Sequence, residues 1–275
     1  MRKILSLILL SPWVLGVSGC PNAFEEMADK NSDDAFLYAA QMAIDNQEYT
    51  AAIQTIEKMT TEGQASKDGR LIKGVAYAGR CGLNLIELAE KLKDMGSTTV
   101  FTVLTRAFAN VPTVSTRPED CLAAEQSLLA IPTAEMTSDD WVFLAFLEFA
   151  KIGTYLARVA DKNDDGNVDT AAPAFNSCST ISDADTRQLG TGLTIGILAL
   201  ARAGSALLGD VTSSISTVCT RIAAAAGSAS VCTKTTASAF TAPEVLALRA
   251  MIKGNELGFG TCGGATGSSP ACLCF

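Results

Sequence analysis

An all-α protein is what this sequence predicts, and three observations carry the prediction. Apolar residues recur at three- and four-residue intervals through most of the chain, the spacing of one helix face. Helix-start patterns stand ahead of the striped stretches, Thr137 answered by Asp140 and Thr241 answered by Glu244. Strand-type alternation is scarce, and the one ambiguous stretch, "STTVFTVLT" at 97 to 105, is read as helix. With 275 residues, 48% of them hydrophobic, there is enough chain to bury one large core or two modest ones.

The first segment is of another kind. Arg2 and Lys3 precede an almost unbroken apolar run, Ile4 to Leu15, too short to span a bilayer comfortably, and then "VSGC", Val17 to Cys20. A charged start, a short apolar run and small residues before a cut point make a secretory signal. "VSGC" resembles the bacterial lipobox. The resemblance implies a signal peptide at 1–19 and a lipidated linker at 20–32. It also implies diacylglycerol and fatty-acyl (palmitate-type) chains on Cys20, enough for stable anchoring. Pro21 follows the lipid site in place of the aspartate associated with inner-membrane retention in such lipoproteins, so an outer-membrane location is favoured.

From Asp33 the pattern becomes helical. Two apolar-striped segments, about 34–45 and 49–59, are split by the polar "DNQE", with Ser32 and Asp34 at the start. Phe36, Ala39, Ala40 and Ala43, then Tyr49, Ala52, Ile53, Ile56 and Met59, resemble the paired helices of a tetratricopeptide (TPR) repeat. Gln47 stands where that family prefers glycine. A second pair is expected in "DGRLIKGVAYAGRCGLNLIELAEKLKDM", turning near Cys81 and Gly82, so TPR-like hairpins would occupy 33–96.

Residues 97–254 read as a helical bundle. Pro118, Glu119 and Asp120 open a helix reaching about Ala130, with proline and acids suited to its first turn. The capping pattern at Thr137 precedes a long apolar run to Ala160, and that at Thr241 precedes "VLALRAMIK", stopped at Gly254. "LGTGLTIGILALA", Leu189 to Ala201, is uncharged but short of the roughly 20 residues a bilayer span needs. It is read as a buried central helix, Gly192 and Gly196 permitting close approach of a neighbour. Residues 255–275 form a Gly/Cys-rich tail that cannot fold unaided.

Nine cysteines fit export. With Cys20 assigned to lipid, an even set remains: Cys81, Cys121, Cys178, Cys219, Cys232, Cys262, Cys272 and Cys274. An even number in an oxidising compartment points to disulfides, their pairing open, with the terminal pair of sulfurs stapling the tail to the helical body. A formal charge of −8 and pI near 4.7 argue against nucleic acid and against electrostatic docking to anionic lipid. The chain has no histidine, which removes Ser-His-Asp and Cys-His catalysis and most catalytic zinc sites. No Walker-type loop, nucleophile elbow or dinucleotide-binding glycine pattern is present either, so no enzyme is expected.

One motif carries chemistry. In "DKNDDGNVD", 161 to 169, oxygen-bearing side chains fall on alternate residues around one glycine. Asp161, Asn163, Asp165, Asn167 and Asp169 resemble the ligand positions of an EF-hand or dockerin-type calcium loop, with Gly166 at the sharp turn and Val168 as the apolar anchor. The resemblance implies a structural Ca2+ site. It departs from the family at the position of the bidentate glutamate, where Ala172 stands, followed by Pro173. Water or Asp183 and Asp185 would complete the shell, and affinity would fall in the weak extracellular range, about 10⁻⁴ to 10⁻³ M. TPR-like lipoproteins mostly act as scaffolds. The function expected is therefore a membrane-anchored envelope lipoprotein that binds a protein or peptide. The alternative is a periplasmic small-molecule or lipid-binding component associated with a transporter.

Overall fold

The computed structural model describes residues 30–93, 98–109, 117–171, 174–204, 219–220, 223, 231–254, 257–260 and 274. Every regular element among them is helical, as the striping predicts, and none is a strand.

Local chemistry sets the first helices. Ser32 caps α1 (Asp33–Asp45), its hydroxyl accepting the amide of Ala35 at 3.2 Å. Asp33 reaches beyond its own helix and accepts the amide of Thr60 at 2.8 Å, tying the start of α1 to the segment after α2 (Tyr49–Ile56). The chain enters α2 through Gln47 at φ +62°, a left-handed conformation that favours glycine. A short helix, α3 (Thr61–Ala65), then leads to α4 (Lys67–Cys81). Helices α1, α2 and α4 enclose a small separate core of Ala40, Ala52, Ile53, Ile56, Met59 and Ala76.

The second expected hairpin does not close on itself. α4 ends at Gly82, where φ is +98°, as the Cys81-Gly82 turn predicts. Yet α5 (Leu85–Lys93) lies against α6 (Val100–Phe108), while α4 lies against α7 (Arg117–Leu129). Three contacts explain that choice. The Cys81–Cys121 disulfide joins α4 to α7, and Arg80 grips Asp120 through two hydrogen bonds of 2.6 and 2.9 Å beside it. Gly74 then leaves room for Leu128, which would come within 2.9 Å of any Cβ at that position.

The main core is built on two long helices, α8 (Ser138–Ala160) and α9 (Asp183–Ala203). A reciprocal capping box starts α8: Asp140 accepts the Thr137 amide at 2.8 Å, and Thr137 accepts the Asp140 amide. The two helices pack closely because α9 turns Gly192 and Gly196 towards α8. A Cβ at 192 would lie 2.9 Å from Ile152, and one at 196 would lie 3.3 Å from Glu148. The uncharged stretch of α9 is thus a buried bundle helix. No helix among the described residues is long and apolar enough to cross a membrane.

Helix α10 (Ala242–Lys253) follows two short 3-10 turns, Val231–Thr233 and Ala237–Ala239. Its start is held by Glu244, whose carboxylate accepts the Thr241 amide at 2.7 Å. Two further disulfides, Cys178–Cys274 and Cys219–Cys232, bind the last part of the chain. The tail is stapled as expected through Cys274, and Leu257 buries its side chain while its carbonyl accepts the Phe101 amide at 2.8 Å. Cys20, Cys262 and Cys272 lie outside the described residues.

Candidate functional site

Two polar places in this helical body carry chemistry. The first is the acidic loop. Asp161 ends α8 with its side chain buried, one carboxylate oxygen accepting the Asp165 amide at 3.0 Å and the other the Gly166 amide at 2.8 Å. Asp165 accepts the Asn167 amide at 2.8 Å and the Asn163 side-chain amide at 3.1 Å. Asp169 accepts the Lys162 amide at 3.0 Å. Gly166, at φ +81°, makes the sharp turn assigned to it and rests on Arg106 and Ala109 of the α6 end. All five predicted oxygen-bearing residues therefore belong to one coiled turn.

Burial and neighbouring charge act against the ionisation of Asp161. Burial raises Asp161 above the usual carboxylate range; the amides of Gly166 and Asp165 counter this, and the charges of Asp165 and Asp164 reinforce it. A positive ion there would relieve both the burial and the repulsion. The fit is incomplete, since the described residues include no three acidic or cysteine side chains grouped to hold a metal. Asp183 and Asp185, the sequence candidates for completing a shell, are each held by an arginine. Asp183 pairs with Arg249 at 2.9 Å and Asp185 with Arg158 at 3.1 Å. Ala172 and Pro173 lie outside the described residues.

The second place was not anticipated. Lys151, on α8, has no exposed surface and forms ion pairs with two carboxylates, Glu125 of α7 and Glu148 one turn earlier on α8. Its ammonium lies 2.6 Å from Glu148 and donates to Thr191 of α9 at 3.2 Å. Glu148 is wholly buried, and neither of its oxygens accepts a well-directed hydrogen bond despite that short ion pair. Burial drives its carboxyl well above the ordinary glutamate range. Lys151 opposes the shift, and the neighbouring Glu125 carboxylate adds to it. Burial also works against the charge on Lys151, but the two carboxylates outweigh it and raise the ammonium.

The charge arithmetic is simple. Two carboxylates and one ammonium leave a buried net negative charge, and burial opposes the ionisation of Glu148 in particular. The cluster sits beneath a surface cleft of 410 Å³ between α7, α9 and the loop at 235–237. Glu125 and Thr191 form part of its wall, with Gln126, Gln188 and Thr236 around them. None of the described residues lining it is basic.

A signal for this cluster does stand in the sequence. In "WVFLAFLEFAKIGTYLARVA" Glu148 and Lys151 are opposite charges three residues apart inside an apolar helix, hence on one face. Nothing local identifies Glu125 as their partner, because it arrives on another helix. No family model, curated protein or solved structure matches this chain.

Proposed function

We propose that this chain is an exported lipoprotein, anchored by lipid on Cys20 to an envelope membrane, the outer in preference to the inner. There it serves as a helical scaffold for a protein or peptide, binding rather than catalysing. One observation carries the scaffold reading. The outer face of α1 leaves Tyr38 70% and Met42 44% exposed, one helical turn apart, with Ala39 open beside them. Tyrosine and methionine are residues that contribute strongly at protein contacts. That face belongs to the first described helix after the anchor segment.

A photo-crosslinking side chain introduced at Tyr38 in intact cells is expected to yield one discrete adduct, absent when it is placed at the exposed Glu57. Equal labelling at both positions, or none at either, would count against the scaffold. Intact mass of the native protein tests the anchor separately, an unmodified Cys20 being the adverse result.

The acidic loop is proposed as a weak structural Ca2+ site, supported by the buried Asp161 and the coil around Gly166. Millimolar calcium should raise Tm in the parent protein and not in Asp161→Ala or Asp165→Ala. An unchanged parent Tm would remove the ion. The alternative reading, a small-molecule-binding component beside a transporter, is favoured by one feature, the cleft over Glu125.

A further inference from the structure

We propose that the outer face of α1 receives a basic amphipathic helix of a protein partner, whose lysine or arginine side chains sit on Asp34 and Asp45 at the two ends of the Tyr38–Met42 pair. The inference rests on the scaffold reading of that face and names the chemistry of its partner.

The order of residues along α1 sets the pattern. Asp34, Tyr38, Met42 and Asp45 follow one another at intervals of four, four and three residues, so they form one stripe on the helix surface. All four are exposed, whereas Ala40 on the opposite side is buried in the small core with α2 and α4. The apolar pair is thus closed at each end by a carboxylate, over a length of about 16 Å at the helical rise per residue.

Charge gives the face its sign. α1 contains no lysine or arginine, and its acids are Asp33, Asp34 and Asp45. Asp33 is occupied, accepting both the amide and the hydroxyl of Thr60. Asp45 accepts the Gln41 side-chain amide at 3.0 Å. Among the described residues, neither Asp34 nor Asp45 has an ion-pair partner. The helix dipole already favours Asp34 in the first turn. It works against Asp45 in the last turn, where a cation is the stabilising neighbour. The exposed Glu48 stands just beyond. A positive group brought from outside therefore gains most at the Asp45 end.

The same sign selects among occupants. A second copy docked through this face about a two-fold axis, parallel or antiparallel, sets carboxylate against carboxylate at both ends. An anionic lipid surface is repelled. A helix with apolar residues at i and i+4, and a cation about one turn beyond each, complements both the pair and its flanks.

The experiment is a fluorescence-anisotropy titration of the folded, disulfide-intact protein against a labelled, helix-locked peptide. The peptide carries leucine at i and i+4, lysine at i−4 and i+7, and alanine elsewhere. One control peptide has glutamate for lysine, the other serine for leucine. The basic peptide is expected to bind saturably, at least about tenfold tighter than either control, and to weaken as salt is raised. Asp34→Asn combined with Asp45→Asn should cost about tenfold in affinity without lowering Tm, with the larger share from Asp45, and Tyr38→Ala should cost as much. Binding no tighter than that of the glutamate control, or undiminished in the double variant, overturns the proposal. In cells, the protein adduct at Tyr38 should lose most of its yield when both aspartates are asparagine. A protein adduct undiminished in that background overturns the basic partner and leaves the scaffold standing. An adduct to phospholipid or to a second copy of this chain also overturns the basic partner, and no adduct at all overturns the scaffold reading beneath it.

Discussion

The acidic loop and the buried cluster under the cleft solve the same problem, placing carboxylates out of water, by opposite means. In the loop, Asp161 is stabilised by amides no more than five residues away. In the cluster, Glu125, Lys151 and Glu148 come from two helices and stabilise one another, with Thr191 of a third. The first arrangement is local and can re-form wherever the turn forms. The second exists only when α7, α8 and α9 are docked, so its energetics are bound to tertiary packing. That difference predicts how each place fails.

The largest effect should follow loss of the shared cation. Lys151→Ala leaves two buried carboxyls with no positive partner, and urea denaturation at neutral pH should show a loss of about 3–5 kcal/mol. By contrast, below the ordinary glutamate pKa, where the Glu148 carboxyl is neutral in the unfolded chain as well, Glu148→Gln exchanges one neutral group for another of the same shape and should change stability by less than about 1 kcal/mol.

The pH dependence sharpens the contrast. Glu148 keeps its proton to higher pH in the folded chain than in the unfolded one. Its contribution is therefore complete below the ordinary glutamate pKa. Above that, stability falls by about 1.4 kcal/mol per pH unit until the folded value is reached. Lys151, raised relative to the unfolded chain, adds a loss of the same sign only above the ordinary lysine range. Denaturation midpoints measured from pH 5 to 8 should thus decline in the parent protein and flatten in Glu148→Gln. A parallel decline in both would show that another group is responsible.

Two glycines give the smaller tests. Gly192→Ala puts a methyl 2.9 Å from Ile152 and 3.2 Å from the Lys151 stem. Both sides of that contact belong to packed helices, so a loss of about 2 kcal/mol is expected by thermal or urea melting. Gly166→Ala meets its nearest neighbour, Arg106, at 3.2 Å, but forces an L-residue to φ +81°. A loss of about 1 kcal/mol is expected, with Tm otherwise unchanged in its pH response.

Much of the fold was legible because helix starts are local chemistry. Ser32, Thr137 and the Thr241/Glu244 pair mark true beginnings, and Gly82 marks a true end. The ambiguous stretch at 97 to 105 falls largely within α6, whose Phe101, Leu104 and Phe108 share one buried face. The second helix pair and its Gly82 turn were legible, but its packing was not, because neighbours in sequence need not be neighbours in space. Nothing within 67–93 reveals that Cys81 will bond Cys121 or that Arg80 will grip Asp120, and those contacts turn α4 to α7. The loop at 161 to 169 was legible since its donors and acceptors are neighbours in the chain. Two thirds of the buried cluster were in view as an i,i+3 pair, but its third member was not.

The amino-acid order alone determined that this is an all-helical chain with its caps, its alternating acidic turn and its surplus of cysteines, since each depends on residues a few positions apart. Which helix lies against which, which sulfurs pair, and that a lysine would be shut between two glutamates beneath an open cleft were decided by tertiary structure. The physical reason is range. Hydrogen bonds within a turn act between neighbours, whereas burying a charge depends on every helix that excludes water from it.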